Sequence, residues 1–471
     1  MTHSRRVVAS LLASIGFVSA SLTSVGLASA APGSASDSAP DSALGSVYDA
    51  GEKVHGSAES SLRGAASLGS LEDLPGSSIP NDPNGFYNFL SRDVEGEPGQ
   101  IIDTQPGVLA FGLPGVDLSA GNTTTIAYVS RDSKGNPTPV TGTIVTNKLP
   151  WTGPGERPTL VIAPGTQGTA DQCAPSRLMR TGFEYETLPV VAALSKGWNV
   201  AMTDLRGLGT PKIQHTYMNR VEQAQATLDM ARAAANTGLG GITKTSPVAT
   251  YGYSQGGGAS AAALELAPKY APEVPLKGGY AGGVPADLAM TANAIDNGAL
   301  AAAMGYTING FLESDPEIRT YLEEHLNERG WHLLKQTSDE CIWDSLARHA
   351  YGDSRTLTKD GRSIAELLKD EPIAEIVRRQ QIGSETPNVP VYIGHGTNDD
   401  TIPVAQGRTL ARTWCEAGTP VYYKEYNIPK VAPLADHAIP LLPQISPAVN
   451  WLDQIFRGQD YPTSSCADIP Q

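Results

Sequence analysis

Short apolar runs alternate with amphipathic segments along most of the chain. Many of these runs are rich in β-branched and aromatic residues and are bounded by Gly or Pro, which is typical of β-strands. The predicted strands are Thr123–Ser130, Thr141–Thr146, Thr159–Ala163, Asn199–Thr203, Val248–Tyr253, Gly278–Gly282, Pro390–His395 and Val421–Tyr426. Between the middle strands lie helical patterns such as Leu188–Lys196 and Asn219–Ala235. This alternation predicts βαβ crossovers and therefore an α/β fold with a mostly parallel sheet.

Residues 286–386 lack this alternation. They are first rich in Ala and then in charged residues, and they predict several helices without a clear strand. The helical stretches are Asp296 to Met304, Asp315 to Lys335 and Ser363 to Arg379. We therefore expect a helical cap inserted into an α/β core that is formed by residues 81–285 and 387–471. Long crossover helices within the main layers are the alternative.

The N-terminal 80 residues differ from the rest in composition. A basic start (His3, Arg5 and Arg6) precedes the charge-free stretch Val7–Ala30, which ends in Ala28-Ser29-Ala30. This arrangement predicts a cleaved signal peptide over residues 1–30, with an uncleaved anchor as the alternative. Residues 31–80 are rich in Ser, Ala, Gly and Asp and predict a loose extension. The protein is therefore expected to be secreted, and attachment to the cell envelope stays open.

The net charge and the lengths of the apolar runs argue against two classes of protein, those that bind nucleic acid and polytopic membrane proteins. The chain has 471 residues, with 34 Lys and Arg against 49 Asp and Glu, and a formal net charge of −15. Binding to phosphates needs clustered Lys and Arg, which do not occur here, so nucleic acid is not an expected partner. No apolar run of about 18 residues lies in the body of the chain, which argues against a polytopic membrane protein.

Four cysteines are spread widely along the chain. They are Cys173, Cys341, Cys415 and Cys466. An even number in an exported chain indicates disulfides, although the spacing alone leaves every pairing open. The separations are far too wide for a CxxC-type zinc site, so no metal is expected.

The strongest chemical signal is the motif Gly252-Tyr253-Ser254-Gln255-Gly256, which has the form G-x-S-x-G. A predicted strand leads into it, and an Ala-rich helical pattern from Ala259 to Leu266 follows. This is the context of a nucleophile elbow, in which a serine sits on a strained turn between a strand and a helix. The helix N-terminus would also offer N–H groups to an oxyanion. We predict Ser254 as a catalytic nucleophile, with a plain Gly-rich turn as the alternative.

A serine hydroxyl needs a base, and in this arrangement the acid and then the histidine follow the serine along the chain. The histidines after Ser254 are His325, His332, His349, His395 and His437. The first three fall in the predicted cap, and His395 ends a predicted strand, so structural roles are expected for them. His437 lies in a loop after the last strand and before a terminal helix near Ser446–Phe456. It is the predicted base.

The acid is expected just after the strand Pro390–His395, where Asp399 and Asp400 are neighbours. The spacing from the strand end and the following Ile402-Pro403 favours Asp399 over Asp400. Asp436 lies directly beside the predicted base and is a third choice. Because neighbouring side chains point apart, we expect Asp436 to cap its own loop instead.

An oxyanion hole needs two donors. One expected donor is the backbone N–H of Gln255, which directly follows the nucleophile. The other is expected from the loop Pro164–Gly168 after an early strand, where Gln167 and Gly168 are both candidates. A plain Gly-rich turn is the alternative for this loop.

Several motifs, taken in order, resemble the secretory lipases. They are Asp82–Tyr87, Pro98–Ile102, Cys173–Ser176, Gly197–Gly209, Leu228–Arg232, the elbow, the acid turn and Ala435–His437, and they cover roughly residues 82–466. The resemblance implies an α/β-hydrolase core with a helical cap and a catalytic triad matching Ser254, Asp399 and His437. It also implies hydrolysis of lipid or other carboxylic esters. Two disulfides are implied as well, Cys173–Cys341 and Cys415–Cys466.

The resulting hypothesis is an exported serine esterase or lipase that needs no cofactor. Its expected partners are ester substrates and, transiently, a lipid interface, and its oligomeric state stays open. Gln255 takes the place of a small residue that follows the nucleophile in the best known member of the family, so acyl-chain preference also stays open. Two other hypotheses remain. One is a cell-envelope acyltransferase that uses the same triad with an alcohol or sugar acceptor, and the other is a catalytically silent binding protein.

Overall fold

The structure, a computed structural model, describes residues 85–87, 93–110 and 121–471. The predicted signal peptide and the predicted N-terminal extension lie outside the described residues. No helix within the described part of the chain is long and apolar enough to cross a membrane.

A single sheet runs through the described residues. Its strands are β1 (Ile101–Pro106), β2 (Gly121–Arg131), β3 (Pro137–Asn147), β4 (Thr159–Ile162), β5 (Asn199–Thr203), β6 (Val248–Tyr253), β7 (Leu276–Gly282), β8 (Val391–Gly396) and β9 (Val421–Tyr426). Their spatial order is β1-β2-β3-β5-β4-β6-β7-β8-β9. In this spatial order, β1, β2, β3 and β5 pair antiparallel with one another. From β5 through β4 to β9, every neighbouring pair is parallel. The predicted α/β class is confirmed.

The sequence missed only β1 among these strands. This strand reads Ile-Ile-Asp-Thr-Gln-Pro and is largely exposed along its length. It lies at the edge of the sheet, where no further strand among the described residues pairs with its outer side. An exposed edge strand does not require apolar residues. Its short apolar content is therefore too weak a signal for a strand.

Helices cover both faces of the sheet. Those outside residues 286–386 are α1 (Pro175–Thr181), α2 (Thr187–Ser195), α3 (Arg220–Thr237), α4 (Gln255–Tyr270), α12 (Val404–Glu416), α13 (Ala435–Ala438) and α14 (Leu441–Phe456). Alternate residues of β4 show the two faces: Leu160 packs in the cluster that contains α2 and α14, and Val161 packs in the cluster that contains α3. This explains why the central strands are continuously apolar rather than alternating.

Residues 286–386, all of which the structure describes, connect β7 to β8 and contain helices but no strand. The helices are α5 (Leu288–Ile295), α6 (Ala303–Ser314), α7 (Arg319–His325), α8 (Glu328–Thr337), α9 (Ile342–His349), α10 (Ile364–Leu367) and α11 (Ile373–Arg379). We call residues 286–386 the helical segment. It leaves the sheet at the carboxyl end of β7, and the chain returns to the amino end of β8.

Two disulfides join Cys173 to Cys341 and Cys415 to Cys466. These are the pairs that the family resemblance implies. The first links the chain after the Pro164–Gly168 loop to the helical segment and is buried. The second holds the C-terminal residues near β9, where the backbone N–H of Ser464 donates to the oxygen of Val421 across 2.7 Å.

Candidate active site

Ser254 lies at the turn between β6 and α4. Its backbone has φ 59° and ψ −122°, a conformation that non-glycine residues rarely adopt and that stores about 1–3 kcal/mol of strain. Glycines make the turn possible because the chain is crowded: a Cβ on Gly252 would lie 2.0 Å from the oxygen of Gly256. A Cβ on Gly256 would in turn lie 2.1 Å from the oxygen of Ala163. The turn therefore presses the start of α4 against the end of β4.

His437 stands between Ser254 and Asp399. Its Nε2 lies 2.8 Å from the Ser254 Oγ, and its Nδ1 lies 2.7 Å from the Asp399 Oδ2. The other carboxylate oxygen of Asp399 accepts the backbone N–H groups of Thr401 and Ile402, at 3.0 and 2.8 Å. Three side chains from distant parts of the sequence thus form one continuous hydrogen-bond chain.

Charges around His437 and Asp399 reinforce each other. Burial lowers the pKa of His437, but the negative charge of Asp399 and the hydrogen bond to it raise the pKa above its ordinary value of 6.5. Burial raises the pKa of the Asp399 carboxyl, yet the charge and hydrogen bond of His437 bring it below its ordinary value. The pair therefore favours an ionised carboxylate that can stabilise an imidazolium.

The two other candidate acids have separate partners. Asp400 Oδ2 accepts the backbone N–H of Leu434 across 2.7 Å, just before α13. Asp436 Oδ1 accepts the backbone N–H of Val431 across 2.6 Å, within the loop that leads to His437. Asp400 therefore braces the loop that carries the imidazole, a contact that sequence spacing did not indicate.

The remaining downstream histidines lie away from Ser254. His395 is fully buried at the end of β8, and its Nε2 donates to the backbone oxygen of Ile402 across 2.9 Å. Burial lowers its pKa, so this imidazole is neutral. His325, His332 and His349 belong to helices of the helical segment, where His349 pairs with Glu340 at 3.0 Å.

The loop Pro164–Gly168 lies beside the elbow and is held by neighbours on two sides. The Gln167 side chain donates to Glu184, and its backbone oxygen accepts the N–H of Ile342 across 2.8 Å. Gly168 forms an antiparallel bridge with Cys341 at φ 115°. A Cβ there would lie 2.4 Å from the oxygen of Glu340, so only glycine fits this approach.

Gln255 contributes to the site in two ways. Its backbone N–H lies in the first turn of α4, where helix geometry provides no intrahelical acceptor. Its side-chain Nε2 lies 3.0 Å from Nε2 of the buried His215, whose Nδ1 donates to the oxygen of Arg206. Burial lowers the pKa of His215 to about 4, so its Nε2 acts as an acceptor. Spacing along the chain did not indicate this contact, because His215 precedes Gln255 by 40 residues.

An apolar cavity opens at Ser254. It contains about 590 Å³ of empty space, its open mouth included. Most of its wall comes from the helical segment, chiefly from α5 and α6, with residues such as Leu288, Ala292, Ala303, Met304, Ile308 and Phe311. The stretch Asn297–Met304 carries small side chains. Within it, Ala302 is buried but does not line the cavity.

The sequence matches known proteins over most of its length. The model of the secretory lipase family matches residues 174–463. A secreted triacylglycerol lipase of Malassezia furfur is 28% identical over 303 residues, which is 62% of this chain and 76% of that protein. Lipase 1 of Candida albicans is 26% identical over 79% of this chain and 80% of its own length. A protein of Mycobacterium tuberculosis described as a "probable inactive lipase" is 28% identical over 81% of this chain and 83% of its own.

Solved structures share the fold. Candida antarctica lipase A in its closed state has a TM-score of 0.68 at 22% identity, covering 86% of this chain and 90% of its own. A cell wall degrading esterase from Xanthomonas oryzae has a TM-score of 0.64 at 17% identity, covering 78% of this chain and 100% of its own. The sheet and its helices are thus those of an α/β-hydrolase.

Proposed function

Because the chain belongs to the secretory lipase family and is therefore a carboxylic ester hydrolase, we propose that it cleaves lipid esters with Ser254, His437 and Asp399. The observation that carries this proposal is the pair of hydrogen bonds made by His437, one to each of the other two side chains. Nucleophile, base and orienting acid are what acyl transfer to a serine requires.

The mechanism follows from the geometry. His437 Nε2 takes the proton of Ser254 as Oγ attacks the ester carbonyl, and Asp399 stabilises the imidazolium that forms. The imidazolium then donates this proton to the leaving alcohol, which leaves an acyl-serine. Water attacks the acyl-serine in the same way, and the acid is released while Ser254 regains its proton. No cofactor takes part.

The tetrahedral intermediate carries a negative charge on the former carbonyl oxygen. We assign one donor for that oxygen to the backbone N–H of Gln255 at the start of α4. The other comes from the loop Pro164–Gly168. In that loop Gly165 N already donates to Glu186 across 2.9 Å, so the donor is the backbone of Thr166, Gln167 or Gly168. Two such donors contribute several kcal/mol of transition-state stabilisation, of the order of 3 kcal/mol each.

The apolar cavity at Ser254 suits the acyl chain of the substrate. Its wall is mostly aliphatic and aromatic, and it includes the nucleophile. Burying each methylene of a chain there contributes about 0.8 kcal/mol. We therefore assign the helical segment, residues 286–386, the role of a cap that encloses the acyl chain over the core of residues 81–285 and 387–471.

The test compares Ser254→Ala with a matched control on the same helix. Ser260 lies six positions later in α4 and is buried, and its hydroxyl donates to the backbone oxygen of Tyr280 and shares a hydrogen bond with the Thr250 hydroxyl. We expect Ser254→Ala to lose ester turnover and labelling by a fluorophosphonate, with an unchanged melting temperature. Ser260→Ala should keep both activities and melt at a lower temperature. Labelling of another serine in Ser254→Ala would contradict the assignment.

The same assay separates hydrolysis from its alternatives. Purified protein is incubated with a p-nitrophenyl or glyceride ester, with and without an alcohol acceptor, and the products are identified. Free fatty acid as the main product in both cases supports the hydrolase. A new ester as the main product would support the acyltransferase. Absence of turnover would place this chain beside its relative described as inactive.

A further inference from the structure

Three consecutive side chains, those of residues 184–186, contact three consecutive residues of the loop Pro164–Gly168. Glu186 Oε1 accepts the backbone N–H of Gly165 across 2.9 Å. The Tyr185 hydroxyl donates to the backbone oxygen of Thr166 across 3.2 Å. Glu184 Oε1 accepts the side-chain amide of Gln167 across 3.0 Å. We call residues 184–186 the glutamate clamp.

The clamp places two carboxyl groups in the protein interior. The side chains of Glu184 and Glu186 are 1% and 0% exposed. Glu184 Oε1 also accepts the backbone N–H of Glu186 across 3.0 Å. The second oxygen of each carboxyl, Oε2, is buried and has no hydrogen-bond partner among the described residues.

The opposite side of the same loop is held by the helical segment. Thr169 N donates to the backbone oxygen of Glu340 across 3.0 Å, and Ile342 N donates to that of Gln167 across 2.8 Å. The disulfide Cys173–Cys341 lies next to these contacts. The loop is therefore held from both sides, and the glutamate clamp contacts Gly165, Thr166 and Gln167 through side chains that can be changed without altering the loop itself. The Tyr217 hydroxyl adds a contact to the Thr166 hydroxyl across 2.8 Å.

We propose that Glu184, Tyr185 and Glu186 are positioning residues that fix residues 165–167, so that a backbone N–H of Thr166, Gln167 or Gly168 meets the oxyanion. This proposal rests on the proposed function, because it concerns the transition state of that reaction. It predicts an effect on kcat, since the oxyanion exists only during the reaction and not in the bound substrate.

The protonation state of the clamp gives a second readout. Burial raises the pKa of Glu186 to about 7 and that of Glu184 well above its ordinary value. The titratable groups that influence these two carboxyls, or are influenced by them, are each other, Asp204, Tyr185 and Tyr251. A protonated carboxyl places no negative charge beside the oxyanion, whereas ionisation of Glu186 at higher pH would oppose it. Glutamine reproduces the protonated form, with one acceptor and one donor.

The experiment compares Glu186→Leu, Glu186→Gln and Tyr185→Phe with the wild type, using a soluble short-chain ester. Asp229→Asn is the control, because Asp229 is a buried carboxyl on α3 that binds Ser130, Tyr270 and Arg232 far along the sheet. We expect Glu186→Leu to lower kcat by about 30- to 100-fold with little change in KM, since misplacing one oxyanion donor has an effect of this order. Tyr185→Phe should lower kcat several-fold.

Glu186→Gln should restore kcat at pH 6 to within about fivefold of the wild type, because it keeps the acceptor for Gly165 N–H. Between pH 6 and pH 8 or above, the kcat of Glu186→Gln should fall less than the kcat of the wild type. Asp229→Asn should melt at a lower temperature with an unchanged kcat. If Glu186→Leu does not fold, Tyr185→Phe and the pH profile of Glu186→Gln decide the matter.

Wild-type kcat in both Glu186→Leu and Tyr185→Phe would overturn the proposal, and so would a Glu186→Gln variant as slow as Glu186→Leu. A pH profile of Glu186→Gln identical to that of the wild type would exclude the charge effect. Failure of the proposed function is recognised separately, because Ser254→Ala in the same series would then retain turnover.

Discussion

The phenol of Tyr253 donates a hydrogen bond to the backbone oxygen of His437, with 2.7 Å between the two oxygens. The two rings lie 5.3 Å apart, centroid to centroid, at an angle of 34°. Tyr253 directly precedes Ser254, and its side chain is buried. The strand end that presents the nucleophile therefore also holds the backbone of the base, so the two reacting side chains share one support.

Tyr253→Phe should lower kcat by about tenfold, because the backbone of His437 would lose its anchor while the ring stays in place. Tyr280→Phe on the neighbouring strand β7 is the matched control, since it also removes a buried phenol hydrogen bond, to Gln444 at 2.6 Å. Both variants should melt a few degrees below the wild type, as expected for about 1 kcal/mol. Steady-state kinetics and thermal melting measure the two effects. Equal kcat values in the two variants would argue against a positioning role.

Asp399→Asn should lower kcat by about 10⁴-fold while the fold persists, because an amide can favour the wrong imidazole tautomer and cannot stabilise the imidazolium. Asp400→Ala should have a smaller effect, about tenfold in kcat, since it removes the acceptor for Leu434 N–H and for the Thr401 hydroxyl but leaves the contact between Asp399 and His437 in place. Measuring kcat and the melting temperature of both variants distinguishes the roles. If Asp400→Ala lost more kcat than Asp399→Asn, Asp400 would be the acid of the triad and Asp399 would not.

The pH profile of the wild type should show an acid limb with a midpoint above 6.5. His437 acts as a base only when it is neutral, and its pKa is raised above that ordinary value, so kcat/KM falls as the pH drops through the raised pKa. Asp399→Asn removes the negative charge that raises the pKa. Its residual activity should therefore persist to lower pH than that of the wild type. A midpoint that stays the same in Asp399→Asn would show that another group controls the acid limb.

Ala303→Trp should lower activity on long-chain esters much more than on acetate or butyrate, because Ala303 lines the cavity on α6. Met290→Trp is the control, since Met290 is 40% exposed on α5 and lies outside the cavity wall. Rates on p-nitrophenyl esters of increasing chain length measure the effect. An equal loss at every chain length would mean that Ala303 is only part of the core.

The parts of the fold that could be predicted are those that local pattern determines. Strands such as Val248–Tyr253 are buried on both faces, so their apolar β-branched residues stand out, and their bounds agree with the structure. The elbow was also predictable, because its glycines are required by backbone contacts within a few residues. Strand β1 was missed because an edge strand with exposed side chains leaves no such pattern.

The contacts that support the site could not be predicted from the sequence, for a different reason. Glu184 and Glu186 precede a helix, where acidic residues are common as helix N-terminal charges, so nothing marks them as partners of a loop about 20 residues earlier. Likewise, Asp400 reads as a neighbour of Asp399, and its hydrogen bond to Leu434 depends on how two loops meet. Such roles follow from tertiary packing, which spacing along one chain does not contain.

The hydrogen bond between His437 and Ser254 joins residues that are 183 positions apart, with the whole helical segment between them. A ribosome makes the chain from its N-terminus, so Ser254 is complete long before Asp399 and His437 exist. Under the proposed mechanism, a nascent chain or a truncated fragment that ends before His437 carries its nucleophile without the base that activates it. Under that mechanism, the order of the triad along the chain keeps the nascent polypeptide without its general base until His437 has been synthesised.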